Sequence, residues 1–482
     1  MKKRLMILGT GSLLLTAWLA EAASTASSEK AERPNILYIN ADDLGVMDVG
    51  YNTPLFRTPN IDRLMSEGMT FENAYAPAAN CAPSRAAIHS GKWAPRHGVY
   101  TVSSSERGKA EHRRIIPTEN RIHLPPEIYT MAEAFRDAGY RTIHLGKYHI
   151  GEDPLQDGFE VNLGGDHRGG PYGDGYYSPW GKGPMAVWSD TVPPETHRAD
   201  VYVREVSRFM EAHKDEPMFI HFSPYLVHTP LTPVPEYVDN YTGTGLNTTY
   251  ASMVEKLDEA VGNVLAALEE KGLAQNTLVV FSSDNGGIAA FHSQKPLRAG
   301  KGSYYEGGVR EPLIMRWPGK IKPGSRCAEL VNGLDFYPTF MEAAGIEQPD
   351  GLDGVSLLPL MTGSRHWKPV PQFWHFPIYL QAYDEKLDDG RDPLFRTRPG
   401  STMRVGKWKL HEYFEDGALE LYDLDADPGE RNDLSKSNPE KTEELYQMLK
   451  DWRERTNAPV PTEPNPEYDA KAEQEAIRKV LK

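Results

Sequence analysis

From Arg33 onward the chain repeats one pattern: a short apolar run that ends in polar, glycine-flanked residues. Ile36-Leu37-Tyr38-Ile39 leads into Asn40-Ala41-Asp42-Asp43-Leu44-Gly45, and Tyr140 to Leu145 into Gly146-Lys147-Tyr148-His149. Met218 to Phe222 leads into Ser223-Pro224 and then His228; Leu278 to Phe281 leads into Ser282-Ser283-Asp284-Asn285-Gly286-Gly287. Continuous β-branched and aromatic runs of this kind predict strands buried on both faces. Between them lie helical stripes. Met131, Ala134, Phe135 and Ala138 stop at Gly139, and Met253, Leu257, Val261, Leu265 and Leu268 stop at Gly272, glycine being the residue best suited to follow a helix. Strands alternating with helices predict an α/β class with a large, mostly parallel sheet sandwiched by helices. Ligands in such sheets sit beyond the carboxyl ends of the strands, where every one of these polar clusters falls.

The rhythm ends after about Gly363. Aromatics, prolines and charges mix in Trp374-His375-Phe376-Pro377 and from Arg391 to Gly400. Strand-like pieces at Lys407 to Leu410 and Leu419 to Tyr422 follow, then a helix with Leu445, Leu449 and Trp452 on one face and Pro439 near its start. The division expected is residues 33–364 as the main domain, 365–463 as a smaller C-terminal α+β domain, and 464–482 as a charged, poorly ordered tail.

Composition narrows the function. Of 482 residues, 39% are hydrophobic, enough for a sizeable core. Two cysteines, Cys81 and Cys327, exclude a disulfide scaffold and a cysteine-ligated zinc cluster; Cys327 is read as a thiol without a role. Asp plus Glu number 68 against 53 for Lys plus Arg, a net charge of −15, which disfavours nucleic acid as a partner. Met1-Lys2-Lys3-Arg4, an apolar run and Ala20-Glu21-Ala22 read as a signal peptide over residues 1–22. The run is too short for a membrane span. An exported protein, periplasmic or secreted, is expected.

Chemistry gathers in two acidic pairs and one helix. Asp42-Asp43 and Asp284-Asn285 supply hard oxygen donors that suit Ca²⁺ or Mg²⁺. Adjacent carboxylates at one strand end repel unless a cation lies between them. Cys81-Ala82-Pro83-Ser84-Arg85 opens a predicted helix that Gly91 stops, so Cys81 falls at an N-terminus where negative charge is favoured.

Cys81-x-Pro83-Ser84-Arg85 followed by Ser90-Gly91 resembles the signature of type I, formylglycine-dependent sulfatases of the alkaline phosphatase superfamily. Further blocks agree in order: Pro34 to Gly45, Gly139 to Gly151, His228-Thr229-Pro230, Ser283 to Gly286, and Lys301-Gly302 through Arg310. Family members more usually carry Leu-x-Thr-Gly where this chain has Ile88-His89-Ser90-Gly91. The resemblance implies an alkaline-phosphatase-like fold and a Cys81 oxidised to Cα-formylglycine by a maturation enzyme. It implies a Ca²⁺ held by Asp42, Asp43, Asp284, Asn285 and the modified Cys81. Arg85 would contact the formylglycine hydroxyl and the metal-bound carboxylate region, and Lys147, His149, His228 and Lys301 would surround the sulfate, with His228 protonating the leaving alcohol and His149 assisting release of sulfate.

For the organic part of the substrate, the loops offer His167, Arg168, His292 and Lys295, and the C-terminal region Trp374, His375, Arg391, Arg396 and Arg398. Aromatics among charged residues suit a sulfated poly- or oligosaccharide, and the Trp374 to Pro377 stretch resembles segments of bacterial polysaccharide sulfatases. An arylsulfatase, a phosphate or phosphonate ester hydrolase and a non-catalytic glycan-binding protein remain as alternatives. Sugar, position, endo or exo action and oligomeric state are not legible.

Overall fold

In the computed structural model, residues 33–171, 175–364 and 367–482 are described; the expected signal peptide lies outside them. Among the described residues, eight strands form the main sheet: β1 (Asn35–Ala41), β2 (Met69–Tyr75), β3 (Arg141–Gly146), β4 (Val161–Leu163), β5 (Met218–Ser223), β6 (Thr277–Ser283), β7 (Leu313–Arg316) and β8 (Ser325–Asn332). Their order is β4-β3-β5-β1-β6-β7-β2-β8, with only β7 antiparallel to its neighbours. The four runs singled out from sequence are therefore adjacent strands, β3-β5-β1-β6, in the middle of the sheet. Their polar carboxyl-terminal segments meet along one edge, although the residues are up to about 240 positions apart in the chain.

Side chains alternate across the sheet. Leu37, Ile39, Ile220, Phe222, Val279 and Phe281 pack with α4 (Arg198–Ala212) and α5 (Thr248–Glu270) on one face, where α1 (Pro59–Glu67) adds Ile61 and Leu64. Ile36, Tyr38, Phe219, Leu278 and Val280 pack on the other face against α2 (Cys81–Ser90), α3 (Met131–Asp137) and α6 (Phe336–Ala344). Each fully buried apolar side chain contributes roughly 1.5–3 kcal/mol before the entropy of ordering is subtracted. Local signals set the helix ends: Thr130 and Glu133 form a capping box before α3, and Gly91, at φ +63°, closes α2.

The C-terminal region is a smaller antiparallel sheet, β9 (Gln372–Phe376), β12 (Gly400–Val405), β13 (Trp408–Tyr413) and β14 (Ala418–Asp423) in the order β14-β13-β12-β9, beside a two-stranded β10 (Leu380–Gln381) and β11 (Phe395–Thr397). Leu445, Leu449 and Trp452 of α7 (Pro439–Thr456) pack on it together with Ala87, Trp93 and Leu334 of the preceding region. Pro34–Lys482 thus packs as one unit, and the boundary expected near residue 365 separates two sheets within it. Buried Lys409 joins them, reaching Glu306 at 2.8 Å and Glu430 at 3.1 Å.

The tail departs from expectation. It forms α8 (Ala470–Val480), capped by Asp469, with Glu473 2% exposed and bonded to Arg398 Nη2 at 2.9 Å and Arg114 Nη2 at 3.1 Å. Its charge is paired with inward-facing arginines that lie far away in sequence. No helix among the described residues is long and apolar enough to cross a membrane.

Candidate active site

The carboxyl end of β1 sends the chain through Asp42 and Asp43, the latter at φ +65°. Asp48, fully buried, fixes this turn: its Oδ2 accepts from Gly45 N at 2.9 Å and Tyr250 OH at 2.6 Å, and its Oδ1 from Gln294 Nε2 at 3.0 Å. His292 Nδ1 lies 2.5 Å from the same Oδ1. His292, expected at the substrate, belongs to the clamp that holds the acidic turn.

The charged groups then interlock. Lys147 Nζ donates to Asp42 Oδ1 at 2.7 Å, and Lys301 Nζ lies 2.5 Å from Asp43 Oδ1. Asn285 Nδ2 donates to Asp43 Oδ1 at 2.9 Å, and the Asp43 backbone N–H to Asp284 Oδ1 at 3.1 Å. Arg85, wholly buried, donates from Nε to Asp284 Oδ2 at 2.7 Å and from Nη1 to the Lys147 carbonyl at 2.9 Å and Ser223 Oγ at 2.7 Å. One guanidinium thereby ties α2, β3, β5 and β6 together. Gly146, at φ +96°, lets β3 end tightly against β5; a Cβ there would stand 1.8 Å from the Ser223 carbonyl oxygen.

Cys81 is the first residue of α2 and is 2% exposed. Burial pushes its thiol up; Lys147 and Lys301 pull it down, and Asp284 and Asp42 push it further up. All four groups therefore act on the sulfur. His228 Nε2 lies 3.8 Å from Asp43 Oδ2, and its Nδ1 is 2.6 Å from the Thr229 carbonyl. Burial lowers this imidazole to about 3, with Lys147 and Lys301 adding to the shift and Asp43 opposing it. His149, at φ +69°, is also held well below its usual value by burial and then by Lys147, Arg85, His228 and Lys301. Its backbone N–H donates to the Asp166 carbonyl at 2.9 Å, and Gly169 lies against its ring. Burial pushes Asp42 up to about 8, against Lys147 and with Asp284 and Asp43. Burial pulls the Lys301 ammonium down, but Asp43, Cys81, Tyr383 and Asp42 together hold it well above its usual value, so it stays protonated.

The donor set fits a hard divalent cation. Asp42 Oδ2 and Asn285 Oδ1 are buried oxygens without a hydrogen-bond partner, an expensive arrangement unless something electropositive faces them. Asp42, Asp43 and His228 also bring ligand atoms within 4.8 Å of one another, but oxygen outnumbers nitrogen and favours Ca²⁺ or Mg²⁺.

Cys81, Arg85, Lys147, His149, His228, Lys301, Asp42, Asp43, Asp284 and Asn285 are thus brought to one cup, whereas most of the expected substrate contacts are not. Trp374, 1% exposed, donates Nε1 to the Ala76 carbonyl at 2.9 Å; His375 is buried between Ser401 Oγ at 2.8 Å and the Pro459 carbonyl at 2.9 Å. Both hold the second sheet and have no surface for a ligand. Arg391 pairs with Asp416 at 2.8 Å, and Arg398 with Glu415 and Glu473, each at 2.9 Å. Arg396 supports the site from behind, donating to the Lys301 carbonyl at 3.1 Å. His167 is exposed and faces Glu152 at 2.9 Å, and Arg168 is folded onto Asp166 at 2.7 Å; both lie on the loop that covers His149. Lys295 is exposed. His144, structural by its place on the strand, contacts His221 Nδ1 at 3.0 Å and the Gly146 carbonyl at 3.0 Å. Cys327 is a free, partly buried thiol.

Sequence reasoning missed Asp48 and Ser223 as contributors. Ser223 stands at the end of a predicted strand, which was a usable signal; Asp48 carries none, because three of its four donors, Tyr250, His292 and Gln294, are distant in sequence.

Comparison with known proteins agrees with this geometry. Residues 34–346 match the Sulfatase family, and residues 300–457 match the family described as N-sulphoglucosamine sulphohydrolase, C-terminal. A sulfatase of Formosa agariphila is 30% identical, over 91% of this chain and 92% of its own. Human arylsulfatase A is 31% identical over 89% and 88%, and mouse N-acetylgalactosamine-6-sulfatase 30% over 89% and 88%. The crystal structure of Ps i-CgsB in complex with k-i-k-neocarrahexaose superposes with a TM-score of 0.71 at 26% identity, covering 93% of this chain and 98% of that one. A phosphonate monoester hydrolase of Agrobacterium radiobacter, at 19% identity and a TM-score of 0.66, shares the fold. The chain belongs to the sulfatase family of the alkaline phosphatase superfamily and is a sulfuric ester hydrolase.

Proposed function

We propose that this protein is exported and removes sulfate from a sulfated oligo- or polysaccharide, with Cys81 converted to Cα-formylglycine by a maturation enzyme and Ca²⁺ held by Asp42, Asp43, Asp284 and Asn285. The observation that carries this reading is the pair of partnerless buried oxygens, Asp42 Oδ2 and Asn285 Oδ1, in the cup that holds the Cys81 sulfur and the Lys147 and Lys301 ammonium groups. The names of relatives support the carbohydrate part: one acts on N-acetylgalactosamine 6-sulfate, and a structural neighbour was solved with a carrageenan-type hexaose.

When present, the cation and the aldehyde hydrate supply a hydroxyl of low proton affinity at residue 81. The chain's own residues do the rest. Lys147 and Lys301 bind the sulfate oxygens and offset charge that develops as the S–O bond to the sugar breaks. We assign the leaving oxygen to His228, whose Nε2 lies 3.8 Å from Asp43 Oδ2. An arriving anion counteracts Lys147 and Lys301, which raises the proton affinity of its imidazole and suits it to give a proton to the departing alcohol. His149, neutral among cations, accepts a proton as sulfate is released. Overall, one water is consumed, and the alcohol, sulfate and a proton are formed. Arg85 keeps four chain segments in register and never needs to leave Asp284.

Expression with and without a formylglycine-generating enzyme tests the reading. The mass of the tryptic peptide containing Cys81 must fall on maturation, and 4-nitrophenyl sulfate turnover and desulfation of defined sulfated oligosaccharides must appear only then. Faster turnover of 4-nitrophenyl phosphate than of the sulfate would overturn it in favour of a phosphorus ester hydrolase.

A further inference from the structure

Resting on the sulfatase reading above, we infer that the substrate carries a second anionic group, sulfate or carboxylate, read by a subsite of Tyr383, Lys386 and Lys295 beside Lys301. The arginines expected to perform this task are spent on internal partners, which leaves the question of what remains positive and open near the cup.

Tyr383 is 53% exposed, yet it is not loose. Its backbone N–H and that of Asp384 donate to Asp388 Oδ2 at 2.5 and 3.2 Å, and Asp388 is itself buried. The Arg396 guanidinium carbon sits 3.4 Å from the Tyr383 ring centroid, and the same guanidinium donates to the carbonyls of Lys301 and Gln381. The ring is therefore held on the residue whose guanidinium also supports the Lys301 backbone. A rigid aromatic face at the mouth of a sulfate cup suits the C–H face of a sugar ring.

Next to this loop lies a cavity of about 460 Å³, lined among others by Ala289, Ala299, Lys295, Lys386 and Leu387. Ala299 is two residues from Lys301 and Ala289 four from Asn285, so the cavity walls lie within roughly 7 and 14 Å of catalytic positions by chain reach alone. Three cations, Lys295, Lys386 and Arg431, and one carboxylate, Asp389, line the cavity. Arg431 is paired with Asp389 at 2.9 Å, but Lys295 and Lys386 have no ion pair among the described residues and are exposed. Two unneutralised ammonium groups converge on one cavity in a protein of net charge −15, whose wall also includes Leu387, 52% exposed. A group that is both sugar-like and doubly charged satisfies all of these; a simple aryl sulfate uses none of them. Lysine serves here as a compact point charge and does not distinguish sulfate from carboxylate by shape.

The test uses mature, metal-loaded protein and matched probes: hexosamine-containing disaccharides and carrageenan oligosaccharides with one sulfate, with two sulfates, or with one sulfate and a uronic acid. Each is read as a substrate and as an inhibitor of 4-nitrophenyl sulfate turnover, and the measured quantity is the preference for doubly over singly anionic probes. The wild type is expected to show such a preference, for disulfated or uronate-bearing probes according to the source of the charge. The Lys295→Ala/Lys386→Ala double variant should lose about tenfold of that preference, as expected for one charge-assisted contact, and Lys386→Glu should lose more. Tyr383→Ala should weaken both saccharide classes relative to the aryl sulfate, with Tyr383→Phe retaining binding. A wild type indifferent to the second charge, or a double variant that keeps its preference, overturns the inference. Absence of turnover on every sulfate ester by fully matured protein would instead sink the sulfatase reading itself, so the two failures are distinguishable.

Discussion

Removing the Asp48 carboxylate should disable the site without touching any group that meets the sulfate. Asp48 accepts four hydrogen bonds within 2.5–3.0 Å, from Gly45 N, Tyr250 OH, Gln294 Nε2 and His292 Nδ1. Asp48→Ala strands all four donors in a fully buried position, at roughly 1–3 kcal/mol each where no water replaces the oxygen. Tyr250 and His292 can turn to other partners, so we expect a loss of about 4 kcal/mol, concentrated in the turn from Asp42 to Asp48. Asp48→Asn is the milder probe. Its amide keeps one oxygen, and His292 can change tautomer to accept from it, leaving a loss of roughly 1.5–3 kcal/mol, or about 10- to 150-fold in occupancy of the native turn. Calcium content by elemental analysis, 4-nitrophenyl sulfate kinetics and circular dichroism on protein matured at Cys81 read the outcome. Both variants should keep their secondary structure, bind less calcium and lose kcat/KM in the order Ala below Asn below wild type. If Asp48→Asn equals wild type in calcium content and turnover, the clamp is not what holds the acidic turn.

Two further outcomes follow from the geometry. His228→Ala should slow sulfated sugars about 100-fold more than 4-nitrophenyl sulfate, whose leaving group needs little protonation; equal losses on both, read as kcat/KM, would remove its role as proton donor. Glu473→Ala should release α8 by leaving Arg398 and Arg114 short of a partner, at roughly 1.5–3 kcal/mol, so limited proteolysis should cut between α7 and α8 well before the rest of the chain, and an unchanged cleavage rate would show that the tail is held by its apolar contacts alone.

The fold was legible where period and burial coincide. The runs at β1, β3, β5 and β6 are buried on both faces because helices cover both sides of the sheet, and apolar residues dominate them, interrupted by His144 and His221, which pair with each other. The ligands at their ends were legible for the same reason, since a parallel sheet puts polar loop residues on one edge whatever the connections. The substrate contacts were not. Trp374 and His375 read as surface aromatics because nothing in a single sequence shows that β9 lies between β12 and the main body. Arg391 and Arg398 read as free cations because their partners, Asp416, Glu415 and Glu473, are identified only by folding. The tail failed likewise: a charged helix looks solvated until Arg398 and Arg114 are seen to receive it.

Charge bookkeeping within the cup explains why a strongly acidic protein can act on an anion. Asp42, Asp43 and Asp284 set three negative charges against Arg85, Lys147 and Lys301, and the pairs are close enough to be treated as neutral from outside. In the proposed mechanism, a divalent cation held by the two unpartnered oxygens would leave the cup doubly positive. A sulfate ester would bring one negative charge, and a deprotonated hydroxyl at residue 81 a second, so the cup's excess positive charge would be offset further in the transition state than in the ground state; stabilisation that grows toward the transition state accelerates the chemical step instead of merely binding substrate tightly. A dianionic phosphate monoester would bring one negative charge more, whereas a phosphonate monoester carries the same single charge as a sulfate ester. Charge alone therefore separates sulfate from phosphate monoesters but leaves monoanionic phosphorus esters as the side reaction this cup tolerates best.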